Sequence, residues 1–248
     1  MSAADPNQAS MPLVEHLKEL RDRLLRSIIA IAVIFVGLYF FSGEMYMILV
    51  EPLRAILPQD ENSALIATGV ASPFLVPLKL ALVMSVLVAM PYLLHQLWGF
   101  IAPALYQREK LLAVPLFISS VLLFYAGVVF VYFVVLPLIF GFFTHAGPSG
   151  IQIMPDISNV LDFCLKMFFS FGIAFEIPIA TFLFIRTGLV SSKKLASIRP
   201  YIFLGCFVVG MLLTPPDIIS QSILAIPMYA LFELGLLMSR FIPKKSTD

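Results

Sequence analysis

The stretch PFLVPLKLALVMSVLVAMPYLLHQLW, residues 73–98, decides the fold class. It holds 26 residues and one charge, Lys79. As a helix it is about 39 Å long, enough to cross roughly 30 Å of hydrocarbon. A core helix of a soluble protein needs one apolar stripe, whereas this run is apolar all round, as lipid requires. Similar runs recur along the chain. They predict spans over about 27–42, 73–98, 111–143, 160–185, 199–214 and 218–239. The expected class is therefore an all-α integral membrane protein of six transmembrane helices. A β-barrel would need short alternating strands, which the sequence lacks.

Composition agrees. Of 248 residues, 60% are hydrophobic and 12% charged, about half the charge of a soluble domain. The net charge of +1 gives no basic field for nucleic acid. Residues 1–11 read as a flexible tail, with no cleaved signal. Residues 12–26 read as an amphipathic cytosolic helix, because Leu13, Leu17, Leu20 and Leu24 recur at helical spacing. The helix is expected on the membrane surface, running into the first span. Residues 43–72 read as a long extramembrane loop, and 240–248 as a tail. The whole chain, 1–248, reads as one membrane domain. The fifth and sixth spans share the 40 residues between Arg199 and Arg240, so each is expected to have under roughly 20.

The basic residues orient the bundle. With the N-terminus in the cytosol, thirteen lysines and arginines fall on cytosolic segments, and only Arg54 falls opposite. Lys79 and Lys166 fall near outer span ends, where they can snorkel. The positive-inside rule then places both termini in the cytosol.

An enzyme is not indicated. His16, His95 and His145 are scattered. Cys164 and Cys206 have no ligand spacing, and no phosphate loop or serine elbow occurs. Neither a metal nor a cofactor is expected. The acids carry more information. Glu176, in FGIAFEIPIA (171–180), lies inside the fourth span, where a carboxylate costs at least ~2.5 kcal/mol. It lines a wet cavity, or it bonds a neighbouring helix. Pro178 close behind predicts a kink. Glu233, in the last span, meets a partner helix or bonds within the bundle. For Glu19 the ordinary reading is an i,i+4 pair with Arg23. For Glu109 it is a loop charge. Tyr92, Trp98, Phe100 and Tyr106 form an interfacial aromatic belt.

Several stretches together resemble one family: HLKELRDRLL (16–25), EPL (51–53), ATGVASPF (67–74), WGFIAPALYQREK (98–110), FGIAFEIPIA (171–180) and TPPD (214–217). In order and spacing, from about residue 11 to 240, they resemble TatC, the polytopic subunit of the twin-arginine protein translocase. The resemblance implies a concave, glove-like bundle with both ends cytosolic. It implies recognition of twin-arginine signal peptides of folded precursors. It also implies assembly with single-span TatA-like and TatB-like subunits, self-association, and transport across the bacterial inner membrane driven by the proton motive force.

Carried onto this chain, the signal-peptide site is Glu19, Arg21, Phe100, Leu105, Tyr106 and Glu109. Two guanidinium groups want planar, bidentate acceptors, which carboxylates supply. Glu176 and Pro178 line the membrane cavity. Glu233, Met211 and Thr214 are the partner contacts, and Pro52, Pro215 and Asp217 stiffen the outer face. Asp22 departs from the motif, standing where some relatives carry lysine. The competing expectation is a proton-coupled secondary transporter with Glu176 and Glu233 as carriers. Such proteins often contain internal repeats, and none is visible here.

Overall fold

The computed structural model describes residues 6–56, 65–105, 110–145, 154–214 and 217–239. Tyr106, Glu109 and Pro215 lie outside the described residues, as do the GPSG stretch and the tail from 240. The described residues form helices joined by turns and short irregular segments, with one isolated parallel bridge between Ile66 and Asp156. The order is α1 (Pro6–Tyr39), α2 (Ser42–Arg54), α3 (Ser72–Leu105) and α4 (Lys110–Phe130), a π-helical turn (Val131–Val135), then α5 (Leu136–His145), α6 (Ile157–Ala174), α7 (Ile177–Arg186), α8 (Ser192–Ser197), α9 (Arg199–Leu213) and α10 (Ile218–Ser239).

Four stretches are long and apolar enough to cross a bilayer: Ser72–Phe100, Val114–His145, Ile157–Arg186 and Ile218–Met238. The pair α1 and α2 adds a fifth if taken together, and α9 is a shorter apolar helix. The apolar windows of the four are only 33–39% buried. Their remaining apolar surface faces outward, an arrangement that water penalises and lipid tolerates.

Three features differ from the sequence reading. First, α1 already begins at Pro6, where a tail was expected, and runs unbroken through the amphipathic segment to Tyr39. Proline suits a first helical turn, because its missing N–H has no intrahelical partner there. An unbroken helix also does not separate a surface-lying segment from the first span. Second, residues 42–54 are helical where a loop was expected. Leu49, Val50 and Leu53 are buried at helical spacing, with Glu44 in the first turn and Arg54 in the last to suit the macrodipole. Pro52 reads as a breaker but sits inside this helix. Having no N–H, it leaves the Ile48 carbonyl without its helical donor. The Tyr132 hydroxyl donates to that carbonyl at 2.8 Å instead. Third, α10 has 22 residues where under roughly 20 were expected, although α9, with 15, and α10 both keep the expected bounds to within one residue.

The expected kink in the fourth span is present. The helix breaks at Phe175 and Glu176, and Pro178 opens α7. Gly188 closes the element with φ +76, and the Val190 N–H reaches back to the Phe184 carbonyl at 3.1 Å. That left-handed stop is why the chain turns here.

The contacts define two units, Met1–Ser42 with Leu78–Ile118, and Gly43–Pro77 with Ser119–Asp248. In the second, α10 packs on α7 and α9, and Phe232, Leu236 and Leu195 form a buried cluster. Asp156 stitches the segment around Thr68 to the start of α6. Its Oδ1 accepts from the Ser158 and Asn159 amides at 2.9 and 3.1 Å, capping the helix. Its Oδ2 accepts from the Thr68 amide at 2.9 Å and hydroxyl at 2.7 Å. The Thr68 amide first, then the other donors, hold the carboxyl down at about 2. A depressed carboxyl stabilises the fold above its ordinary value of 3.8 and loses that contribution as pH falls through about 2. Amide exchange at Ile66, Thr68, Ser158 and Asn159 is therefore expected to stay slow at pH 4 and rise together towards pH 2. Asp156→Ala is expected to raise all four at neutral pH. A response confined to Ser158 and Asn159 would show a cap without a stitch.

Candidate functional site

The amphipathic repeat of α1 brings Glu19 and Arg23 one turn apart. The Arg23 Nε and Nη2 groups both donate to Glu19 Oε1, at 2.9 and 2.7 Å. The same guanidinium reaches the C-terminal part of α3. Its Nη1 donates to the Gln96 carbonyl at 3.4 Å and to Gln96 Oε1 at 3.3 Å, and Nη2 to the Gly99 carbonyl at 3.1 Å. Gly99 leaves room for this approach: a Cβ there would lie 2.5 Å from Nη1, and the guanidinium would have to shift. One turn before Glu19, His16 stacks on Phe100 with ring centroids 4.2 Å apart. His16 Nδ1 lies 4.0 Å from Glu19 Oε2. Among the described residues Oε2 accepts no hydrogen bond, and the Glu19 side chain is 40% exposed. Glu19 is thus a carboxylate with one oxygen engaged and one open.

A second carboxylate sits in the break between α6 and α7. Glu176 Oε2 accepts from the Ser120 hydroxyl of α4 at 2.6 Å. Glu176 Oε1 is buried and has no hydrogen-bond partner among the described residues. Its own backbone still serves the ladder, with the Ala180 amide donating to its carbonyl at 2.9 Å.

The third acid, Glu233, is engaged within the bundle. Arg199 donates Nε to Oε1 at 2.7 Å and Nη2 to Oε2 at 2.8 Å, and the Tyr229 hydroxyl adds a bond to Oε1 at 2.8 Å. This fork ties the first residue of α9 to α10. Among the described residues, no group of three or more histidine, cysteine or acidic side chains could hold a metal ion.

A family model described as Sec-independent protein translocase protein (TatC) matches residues 15–227. The chain belongs to the TatC family. The Sec-independent protein translocase protein TatC of Azotobacter chroococcum mcd 1 is 57% identical over 235 residues, covering 95% of this chain and 91% of that protein. The corresponding Escherichia coli K12 protein is 51% identical over 239 residues, covering 96% and 92%. A crystal structure described as the twin arginine translocase receptor TatC matches with a TM-score of 0.81 at 35% identity, covering 91% of this chain and 98% of that one. The chain is accordingly a helical, multi-pass membrane component of a protein translocase and belongs to a transport family rather than an enzyme family.

In this TatC-family chain the described residues expected at the site make the following contacts. Arg21, assigned beside Glu19, instead pairs with its neighbour Asp22 at 2.7 and 2.9 Å. The arginine at Glu19 is Arg23. Its i,i+4 pairing is legible in the sequence, but its tie to Gln96 and Gly99 is not. Leu105 is the last residue of α3. Glu233, assigned to partner contact, has both oxygens taken by its own chain, and Thr214 is buried with its hydroxyl on the Gly210 carbonyl. Met211 is exposed. Asp217 caps α10 through the Ser220 amide at 2.6 Å. Sequence reading missed Asp156, Ser120 and Arg199 as site partners. Each is tied to its partner by a contact 34 or more positions away, and only the α6 cap of Asp156 is local.

Proposed function

We propose that this chain is the receptor of a twin-arginine translocase, taking the paired arginines of a signal peptide at Glu19 and Glu109 on its cytosolic face. It crosses the bacterial inner membrane six times with both ends in the cytosol. Support for six comes from adding α1 and α9 to the four long apolar stretches. Support for the orientation comes from the thirteen-to-one distribution of lysine and arginine. TatA-like and TatB-like single-span subunits dock along α9 and α10, where Met211 is exposed. The proton motive force drives transport of folded precursors.

The observation that carries the reading is the open Oε2 of Glu19, half-exposed beside His16, which stacks on Phe100. An exposed ion pair contributes only ~0.2–1 kcal/mol, so the apolar part of the peptide docks as well. Combined change of Glu19 and Glu109 to Ala is expected to weaken binding of an Arg-Arg signal peptide roughly tenfold. The protein should remain inserted. Undiminished export of a folded twin-arginine substrate by that variant sinks the assignment.

A further inference from the structure

Every one of the five guanidinium N–H groups of Arg23 has an acceptor. Two go to Glu19 Oε1, two to the Gln96 carbonyl and amide oxygens, and one to the Gly99 carbonyl. The side chain is 24% exposed and occupies the space that the missing Gly99 side chain leaves. An incoming cation that displaced it would break all five bonds and gain two in return. Arg23 therefore stays, and Glu19 offers a peptide only Oε2.

That bears on selectivity. A planar guanidinium outcompetes an ammonium when it can place two parallel N–H groups on the two oxygens of one carboxylate. With Oε1 already holding two donors, this fork cannot form at Glu19. A single oxygen takes one donor from arginine or from lysine with similar strength.

We propose that Arg23 is a positioning residue: it fixes Glu19 through Oε1 and presents Oε2 as a one-point acceptor, so that Glu19 attracts a cation without choosing arginine over lysine. This rests on the reading of Glu19 as a signal-peptide acceptor. It also removes Glu19 from the bidentate recognition expected from sequence, leaving any arginine preference to other groups of the receptor.

The test is the affinity of the full-length protein in lipid nanodiscs for an Arg-Arg signal peptide and its Lys-Lys counterpart. Glu19→Gln is expected to weaken both by a similar factor. If neither peptide responds, the Glu19 site falls, and the inference with it. If Arg-Arg binding drops while Lys-Lys binding holds, the site stands and the inference is overturned. Arg23→Gln frees Oε1, so the Arg-Arg to Lys-Lys affinity ratio is expected to rise about fivefold, the equivalent of one more ordinary hydrogen bond at a solvent-exposed site. Gly99→Ala crowds the guanidinium out while keeping its charge, and is expected to move the ratio the same way. It carries the test should Arg23→Gln fail to fold. Arg23→Lys lacks the fork and is not expected to restore the ratio fully. A merely structural Arg23 would change both affinities or neither, and an unchanged ratio in the Arg23 and Gly99 variants overturns the proposal.

Discussion

Gly127→Val is expected to strip the α4–α6 contact and leave little folded protein. A Cβ at position 127 would lie 2.7 Å from the Phe171 carbonyl oxygen and 3.0 Å from both its carbon and the Phe175 ring. The nearest obstacle is backbone, which cannot rotate away. From the opposite side Gly172 faces the Phe124 ring, which a Cβ would meet at 2.5 Å. The two helices approach closely because each presents a glycine to the other at the crossing, the usual arrangement where lipid offers no hydrophobic drive for association. Forcing extra methyl groups into such a contact costs about 1–3 kcal/mol, and valine at a helical glycine site adds the strain of a branched Cβ. The damage reaches Ser120, seven residues earlier on α4, and with it the bond to Glu176. Thermal unfolding of the purified protein in detergent should rank Val below Ala and Ala below glycine at position 127. Gly141→Val, where nothing lies within 4 Å of the added carbon, should have little effect. Equal losses at 127 and 141 would mean that the crossing is not what glycine serves.

Glu176→Leu is expected to keep or raise the thermal stability of the protein while cutting export of a folded substrate roughly tenfold. The sequence leaves two roles for Glu176, assembly or function, and they predict opposite signs for stability. The wild-type side chain has one oxygen bonded to Ser120 and one buried without a partner among the described residues. An unsatisfied buried polar atom costs about 1–3 kcal/mol, more than a typical hydrogen bond returns. Leucine removes that cost along with the bond. Glu176→Gln retains an oxygen for the Ser120 hydroxyl and should fall between wild type and leucine in export. If leucine lowers melting temperature and export in step, Glu176 is a structural tie, and its open oxygen has no part in transport.

The legible and illegible parts of this chain divide by distance. The kink before Pro178 was readable because a missing N–H acts on its own turn. Pro52 misled for the related reason that its consequence is relieved elsewhere: Tyr132, 84 positions away from Ile48, supplies the donor that the helix lacks. The helix α2 then survives where local rules predict a loop. Glu233 was undecidable from its neighbours, because Arg199, which takes both its oxygens, lies 34 positions off. The HLKELRDRLL stretch marked Glu19, and i,i+4 spacing named Arg23 as its partner. Neither could say that Arg23 also reaches Gln96 and Gly99.

The sequence by itself determined that the chain is a helical membrane protein, the positions of its long apolar stretches and its family. Those properties are local sums: hydropathy accumulates over about 20 residues, and a motif is a run of neighbours. Only the tertiary structure decided which acids remain open. Arg23 reaches Gln96 and Gly99 across more than 70 positions and fixes one oxygen of Glu19, and Ser120 bonds Glu176 across 56. The state of a carboxylate depends on donors brought from distant helices, and no local reading of the chain contains them.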